Sequence, residues 1–121
     1  MPNTRAPFVT LHPYFRVHPG KLDEFRALLP RFVERTQTEE KNLSYDFTIA
    51  GDTIYCREGY VDAAALLAHL ENVDELLKKA LTLADLARLE VHGPESELAK
   101  LKAPLASLDV TWFAYVCGVS H

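Results

Sequence analysis

Two residues in the stretch "IYCREGYVDAAALLAHLEN" (54–72) are of types that do acid–base chemistry and stand where apolar side chains are expected: Glu58 and His69. Glu58 falls on the apolar side of a strand. His69 lies three residues past Leu66, beside the buried stripe of a helix. A carboxylate placed there is costly unless hydrogen-bonded, because desolvation penalises its charged form. The same penalty raises its pKa, which is the tuning a general base near neutral pH requires. Tyr45 sits opposite Glu58 in the expected register, with Cys56 and Tyr60 two residues away on the same side. The structural alternative is that Glu58 only bonds a helix N–H, a tyrosine hydroxyl or His69, and that His69 and the aromatics only pack.

The elements that position these residues follow from hydrophobic period. From Phe8 to Val17, apolar Val9, Leu11, Phe15 and Val17 alternate with polar residues, as in a half-buried strand, and Pro13 predicts a bulge or a late strand start. Leu22, Phe25, Leu29, Phe32, Val33 and Thr36 then repeat at helical spacing, with Pro30 predicting a kink. Two alternating runs joined by Gly51-Asp52 form a hairpin. That loop sets Ile49 against Ile54, Phe47 against Cys56 and Tyr45 against Glu58. One hairpin face then carries Leu43, Tyr45, Phe47, Ile49, Ile54, Cys56, Glu58 and Tyr60, with Glu58 its sole charge.

Asp62 is placed to cap the next helix, and Asn72 with Glu75 resembles a capping box for a second one. A strand over "ADLARLEVH", a short helix around "PESELAKL" ended by Pro104, and a last strand "DVTWFAYVCG" complete the chain. The order β-α-β-β-α-β predicts a ferredoxin-like α+β fold, an antiparallel sheet with helices on one face, extended by a C-terminal helix and strand. The other face would leave Tyr14, Tyr55 and Trp112 or Phe113 in water, so a homodimer joined through its sheet faces is expected.

With 121 residues and no repeat or linker, the chain reads as one domain over 1–121. Its net charge of −4 supplies no excess of Lys and Arg to displace counterions, which argues against nucleic-acid and anionic-membrane partners. The longest uninterrupted apolar run, "AAALLA", is far short of a membrane span, and the start has no apolar signal region. Cys56 and Cys117, each expected within a strand, form no C-x-x-C and read as buried thiols in a reducing cytoplasm. His12, His18, His92 and His121 share no spacing with another ligand, and no metal site is expected.

The runs "YFRVHPGKLDEF", "LSYDF" and "REGYVDAAALLAHLEN" resemble the antibiotic biosynthesis monooxygenase (ABM) family of dimeric α+β barrels, over roughly residues 8 to 92. The resemblance implies a pocket between sheet and helices. It also implies oxidation of aromatic polyketides or quinols by O2 without metal or flavin in some members, and haem binding or degradation in others. Glu58 and His69 match the family's strand Glu and helix His, and Tyr60 falls where many members have Trp. The haem branch's helix ligand would fall near residues 76–80, which contain no His, and its first-strand Asn near Pro13, so no haem is expected.

In such a site, a phenol or quinol loses a proton to Glu58 or His69, and the electron-rich anion reduces O2 directly. Tyr45 and Tyr60 would hold the anion, with Cys56 beside them, while Phe15, Phe47 and helix leucines form a wall that excludes water. The rival expectation is a non-catalytic dimer that binds a small apolar ligand or only packs, since fold alone does not decide function. Thiol redox chemistry at Cys56 ranks last, because neighbouring Glu58 does not make an electropositive setting.

Overall fold

The computed structural model describes residues 8–119. Its elements are β1 (Val9–Val17), α1 (Leu22–Thr36), β2 (Asn42–Ala50), β3 (Thr53–Tyr60), α2 (Ala63–Asn72), α3 (Asp74–Leu83), β4 (Ala84–Gly93), α4 (Glu95–Lys102) and β5 (Thr111–Ala114). The strands form one sheet in the order β2-β3-β1-β4-β5, the ferredoxin-like arrangement with one strand added beside β4.

The first four strands pair antiparallel, and β5 runs parallel to β4, so the sheet is mixed rather than antiparallel throughout. The reason is the connection. A helix, α4, carries the chain back along the sheet, and a strand reached by a helical crossover returns in the same direction. The strand expected over "DVTWFAYVCG" shrinks to four residues. After Ala114, which pairs with Gly93, only the bond from Tyr115 N–H to the Gly93 carbonyl remains, because β4 has ended. Cys117 is therefore exposed and outside any strand, contrary to expectation, while Cys56 is buried in β3.

The hairpin forms in the expected register, from Ala50 opposite Thr53 to Tyr45 opposite Glu58. Gly51 takes φ of 60°, and among the described residues no non-glycine has positive φ, so the turn needs its glycine at this first position. The helix α1 runs through Pro30 without a break, and Asp62 caps α2 by accepting from the Ala65 N–H at 2.8 Å.

The β1–β3 pairing skips His12 and Pro13, and a second irregularity lies in the neighbouring strand β4. β1 keeps one register against β3 from Val9 to Arg16, but its pairing with β4 shifts between Tyr14 and Phe15. Tyr14 pairs with Arg88 and Phe15 with Leu86, leaving Ala87 as the extra residue of a bulge. Alternation along β4 resets there. Ala84 and Leu86 face the helices before the bulge, Leu89 and Val91 after it, and Ala87 and Arg88 are both exposed. Leu86 and Leu89 thus point to the same side, three residues apart.

The helices cover one face and divide the interior into two clusters. One gathers Val9, Leu11, Tyr60, Leu66, Val91, Leu98 and Leu101 under α2 and α4. The other gathers Phe15, Phe25, Phe32, Ile54, Val73, Leu76 and Ala80 under α1 and α3. Trp112 packs from β5 against the first cluster, with the Lys102 ammonium 5.9 Å over its ring. The uncovered face is aromatic. Tyr14 lies against Tyr55, His12 is 2.6 Å from the Tyr55 hydroxyl, and His92 stacks on Phe113.

Candidate active site

A cavity of about 80 Å³ opens at the seam between the two clusters. Leu11, Pro13 and Phe15 of β1 and Leu86 and Leu89 of β4 form its sheet side, the last two brought together by the bulge. Phe25 and Phe32 of α1, Leu70 of α2, and Val73 and Leu77 close it from above. Leu81 of α3 and Leu108, in the segment joining α4 to β5, also line it and are each about 40% exposed. The polar end is made by Glu58, His69, Cys56 and Tyr45.

Glu58 is 4% exposed and His69 2%. The strand alternation that buries Ile54 and Cys56 also buries Glu58, and helical spacing from Leu66 turns His69 down onto it. His69 Nε2 lies 3.4 Å from Glu58 Oε1. The Tyr60 hydroxyl donates to the same oxygen at 2.6 Å. Burial pushes Glu58 up to about 7, although the Tyr60 hydroxyl and the Cys56 thiol both favour its anion. Burial lowers His69, and the bond and charge of Glu39 draw it part of the way back. Tyr45, Cys56 and Tyr60 are all held well above their ordinary values, first by burial and then by the Glu58 charge. These three groups keep their protons and act as hydrogen-bond donors, not as acids, in this setting.

The structure brings together most of the residues singled out in the sequence. Glu58, His69, Tyr45, Cys56, Phe47 and Phe15 all line the cavity. Tyr60 does not; it stands behind Glu58 with its hydroxyl committed to that carboxylate. The ring of Tyr45 lies 5.1 Å from that of His69, and Tyr60's lies 5.2 Å away on another side. His12 and His92 lie on the opposite sheet face, His18 pairs with Asp85 at the surface, and His121 is outside the described residues.

Two participants were not legible as such. Glu39, in the connection from α1 to β2, places its carboxylate oxygens 2.9 and 3.1 Å from His69 Nδ1. Asn72, expected to cap α3, instead ends α2, and its amide donates to Glu39 Oε2 at 2.8 Å and to the Arg35 carbonyl at 2.9 Å. The α3 helix begins after Val73 with no side-chain cap, because the Asn72 side chain is already engaged. No periodic pattern marks Glu39, which sits in the charged run "QTEEK". Only the (i, i+3) spacing of His69 and Asn72 on one helix face hints at a shared partner.

Among the described residues, no group of three or more His, Cys, Asp or Glu side chains is arranged to hold a metal ion. No helix among them is long and apolar enough to cross a membrane.

Comparison with known proteins agrees with this architecture. MupZ from Pseudomonas fluorescens is 39% identical, with 94% of each chain covered and a TM-score of 0.90. Rv0793 from Mycobacterium tuberculosis is 24% identical over 72% of this chain and 94% of its own, with a TM-score of 0.64. A conserved protein from Methanosarcina mazei Go1 is 18% identical over 74% and 94%, with a TM-score of 0.68. The latter two share the fold alone. No curated protein matches. Residues 8–79, more than half of the sequence and including every cavity residue from β1 to α3 named above except Leu81, match the family model for antibiotic biosynthesis monooxygenases, and the chain belongs to that family.

Proposed function

We propose that the protein is a cofactor-independent monooxygenase that oxidises a small aromatic or quinol-type substrate with O2, working as a homodimer in the cytoplasm. One observation carries this reading: two buried groups able to exchange a proton, Glu58 and His69, stand 3.4 Å apart at the polar end of an otherwise apolar cavity. Such a cavity takes a ligand with an apolar body and one polar end. Its volume of about 80 Å³ is below the ~300–1,000 Å³ of typical ligand pockets, so an aromatic substrate enters as the exposed Leu81 and Leu108 part.

The chemistry balances without a cofactor. A phenol gives its proton to the Glu58–His69 pair, and the phenolate passes one electron to O2. The phenoxyl radical and superoxide combine at a ring carbon, and the stored proton completes a hydroperoxide. Loss of water, with the ring hydrogen, leaves a quinone: one oxygen atom enters the product and the other leaves as water. Burial and the Glu58 charge push Tyr45, at the polar end of this cavity, well above the ordinary phenol range, so a plain phenol gives up its proton less readily there. A hydroxyl acidified by a conjugated carbonyl fits better.

Oxygen uptake by metal-free, flavin-free protein on hydroxyanthrones, naphthols and quinols tests the proposal, with autoxidation subtracted and 18O2 used to trace the product. Uptake above background, with one labelled atom in the product, is expected, and it falls in Glu58→Gln and His69→Ala. Equal uptake in all three proteins, or hydrogen peroxide with no label in the product, contradicts it. The competing reading, a dimer that binds an apolar ligand without turnover, draws on the fact that no buried side-chain polar atom among the described residues lacks a partner. Thermal stabilisation by these compounds with no uptake would favour that reading.

Dimerisation is read from the uncovered sheet face with Tyr14, Tyr55, His12, His92 and Phe113. Sedimentation equilibrium should give the mass of two chains for the wild type and of one for Tyr14→Glu/Tyr55→Glu. A monomeric wild type contradicts the assembly.

A further inference from the structure

The hydrogen-bond network around His69 determines which of its nitrogens carries the proton, and the group that decides this is Glu39. The Arg35 carbonyl can only accept, so the Asn72 atom 2.9 Å from it is the amide nitrogen. That same nitrogen lies 2.8 Å from Glu39 Oε2, which is therefore accepting. His69 Nδ1 lies 2.9 Å from this accepting oxygen and 3.1 Å from its twin, so Nδ1 is the donor.

The clamp around Glu39 is closed on several sides. Its backbone N–H donates to the Thr36 carbonyl at 3.0 Å, the last turn of α1. Arg35 and Asn72 bond reciprocally, with Arg35 Nη1 donating to the Asn72 carbonyl at 3.1 Å. The ends of α1 and α2 are thereby tied together, and the Glu39 side chain, 14% exposed, is held across His69.

We propose that Glu39 is a positioning residue that fixes His69 with its proton on Nδ1, leaving Nε2 as an acceptor towards Glu58 and the cavity. This deepens the oxygenase reading and rests on it for its catalytic meaning. A bare Nε2 lone pair 3.4 Å from a Glu58 anion is repulsive, so a single proton held on either atom relieves the pair. A proton arriving from substrate is received there, and the imidazolium so formed is stabilised from behind by Glu39, the role of the third group in a nucleophile–base–orienter arrangement. The groups facing His69 are Glu39 from the α1–β2 connection, Tyr45 from β2, and Glu58 and Tyr60 from β3. No Lys or Arg side chain is among them.

The test reads His69 directly. In 15N-labelled protein, two-bond proton–nitrogen spectra across a pH series distinguish a protonated ring nitrogen from a bare one, with His12, His18 and His92 as controls for folding. Above the His69 midpoint, the wild type should show Nδ1 protonated and Nε2 bare. Glu39→Ala should invert the pattern, moving the proton to Nε2, where Glu58 accepts it. Glu39→Gln keeps an acceptor of the same shape, so it retains the wild-type tautomer while the His69 midpoint falls by about one pH unit or more through loss of the opposing charge. Nε2 protonated in the wild type, or a midpoint unmoved in Glu39→Gln, would overturn the proposal. The spectra need no substrate, so an enzyme without oxygen uptake but with the expected tautomer would retire the oxygenase reading and leave the role of Glu39 standing.

Discussion

Replacing Glu58 by Gln should lower oxygen-dependent turnover by roughly 10²- to 10⁴-fold, the usual contribution of a positioned general base, while leaving the protein folded. Gln keeps the shape and can still accept from Tyr60, but it takes no proton. The same substitution has a second signature in stability. Glu58 is shifted from 4.5 up to about 7 by burial, so between these values the folded chain holds a proton that the unfolded chain has released. Its contribution is fully present below pH 4.5 and is lost as pH rises through 7, a cost of about 3 kcal/mol at ~1.36 kcal/mol per pK unit.

His69 works in the opposite direction. Its folded value is lowered from 6.5 by burial, so the stability of its neutral form is present above 6.5 and lost as pH falls through the folded value. In the wild type the two slopes oppose each other; in Glu58→Gln only the histidine slope remains. Urea denaturation should therefore show Glu58→Gln gaining on the wild type by about 3 kcal/mol between pH 4.5 and 8. A difference constant with pH would mean that Glu58 is not a buried titrating group.

Phe25→Ala should cost about 3–5 kcal/mol, the upper range for core truncations. Phe25 is 1% exposed and stacks obliquely on Phe15, ring centroids 5.4 Å apart, where α1 crosses the sheet. It also lines the cavity, so the lost ring adds volume to an existing void that the surrounding helices already fail to fill. The comparison substitution is Leu28→Ala, also buried on α1 but away from the cavity, where truncation adds nothing to an existing void. Chemical denaturation of both should give the larger loss for Phe25→Ala. An equal or smaller loss would imply that the cavity collapses around the truncated side chain.

What the sequence conveyed well was periodic. The two-residue turn at Gly51-Asp52 and alternation along β2 and β3 were enough to place Tyr45 opposite Glu58 and to turn Glu58 inward. Helical spacing brought His69 to the same cavity. What it conveyed poorly was set by partners distant in the chain. Asn72 looks like a cap when read locally, but its amide is taken by Arg35 and Glu39, some thirty residues earlier. Glu39 belongs to a charged run whose neighbours are exposed, and nothing local separates the one carboxylate that reaches inward. Pro13 announced an irregularity: the β1–β3 pairing skips His12 and Pro13, and the β1–β4 ladder carries a bulge at Ala87 just beyond them, which residue pattern in β4 does not mark. The parallel direction of β5 follows from the helical crossover through α4, which the strand–helix–strand order contained although an antiparallel sheet was expected.

The most direct measurement is the pH dependence of kcat/KM for oxygen uptake, made on the wild type and Tyr60→Phe. With Glu58 as the proton acceptor, activity should rise with pH through an inflection near 7, where the carboxylate ionises. The Tyr60 hydroxyl lowers Glu58 from where burial alone would put it, so Tyr60→Phe should move that inflection to higher pH. A profile with no inflection over roughly pH 6 to 8, or one unmoved by Tyr60→Phe, would contradict proton transfer to Glu58 as the step that starts the reaction.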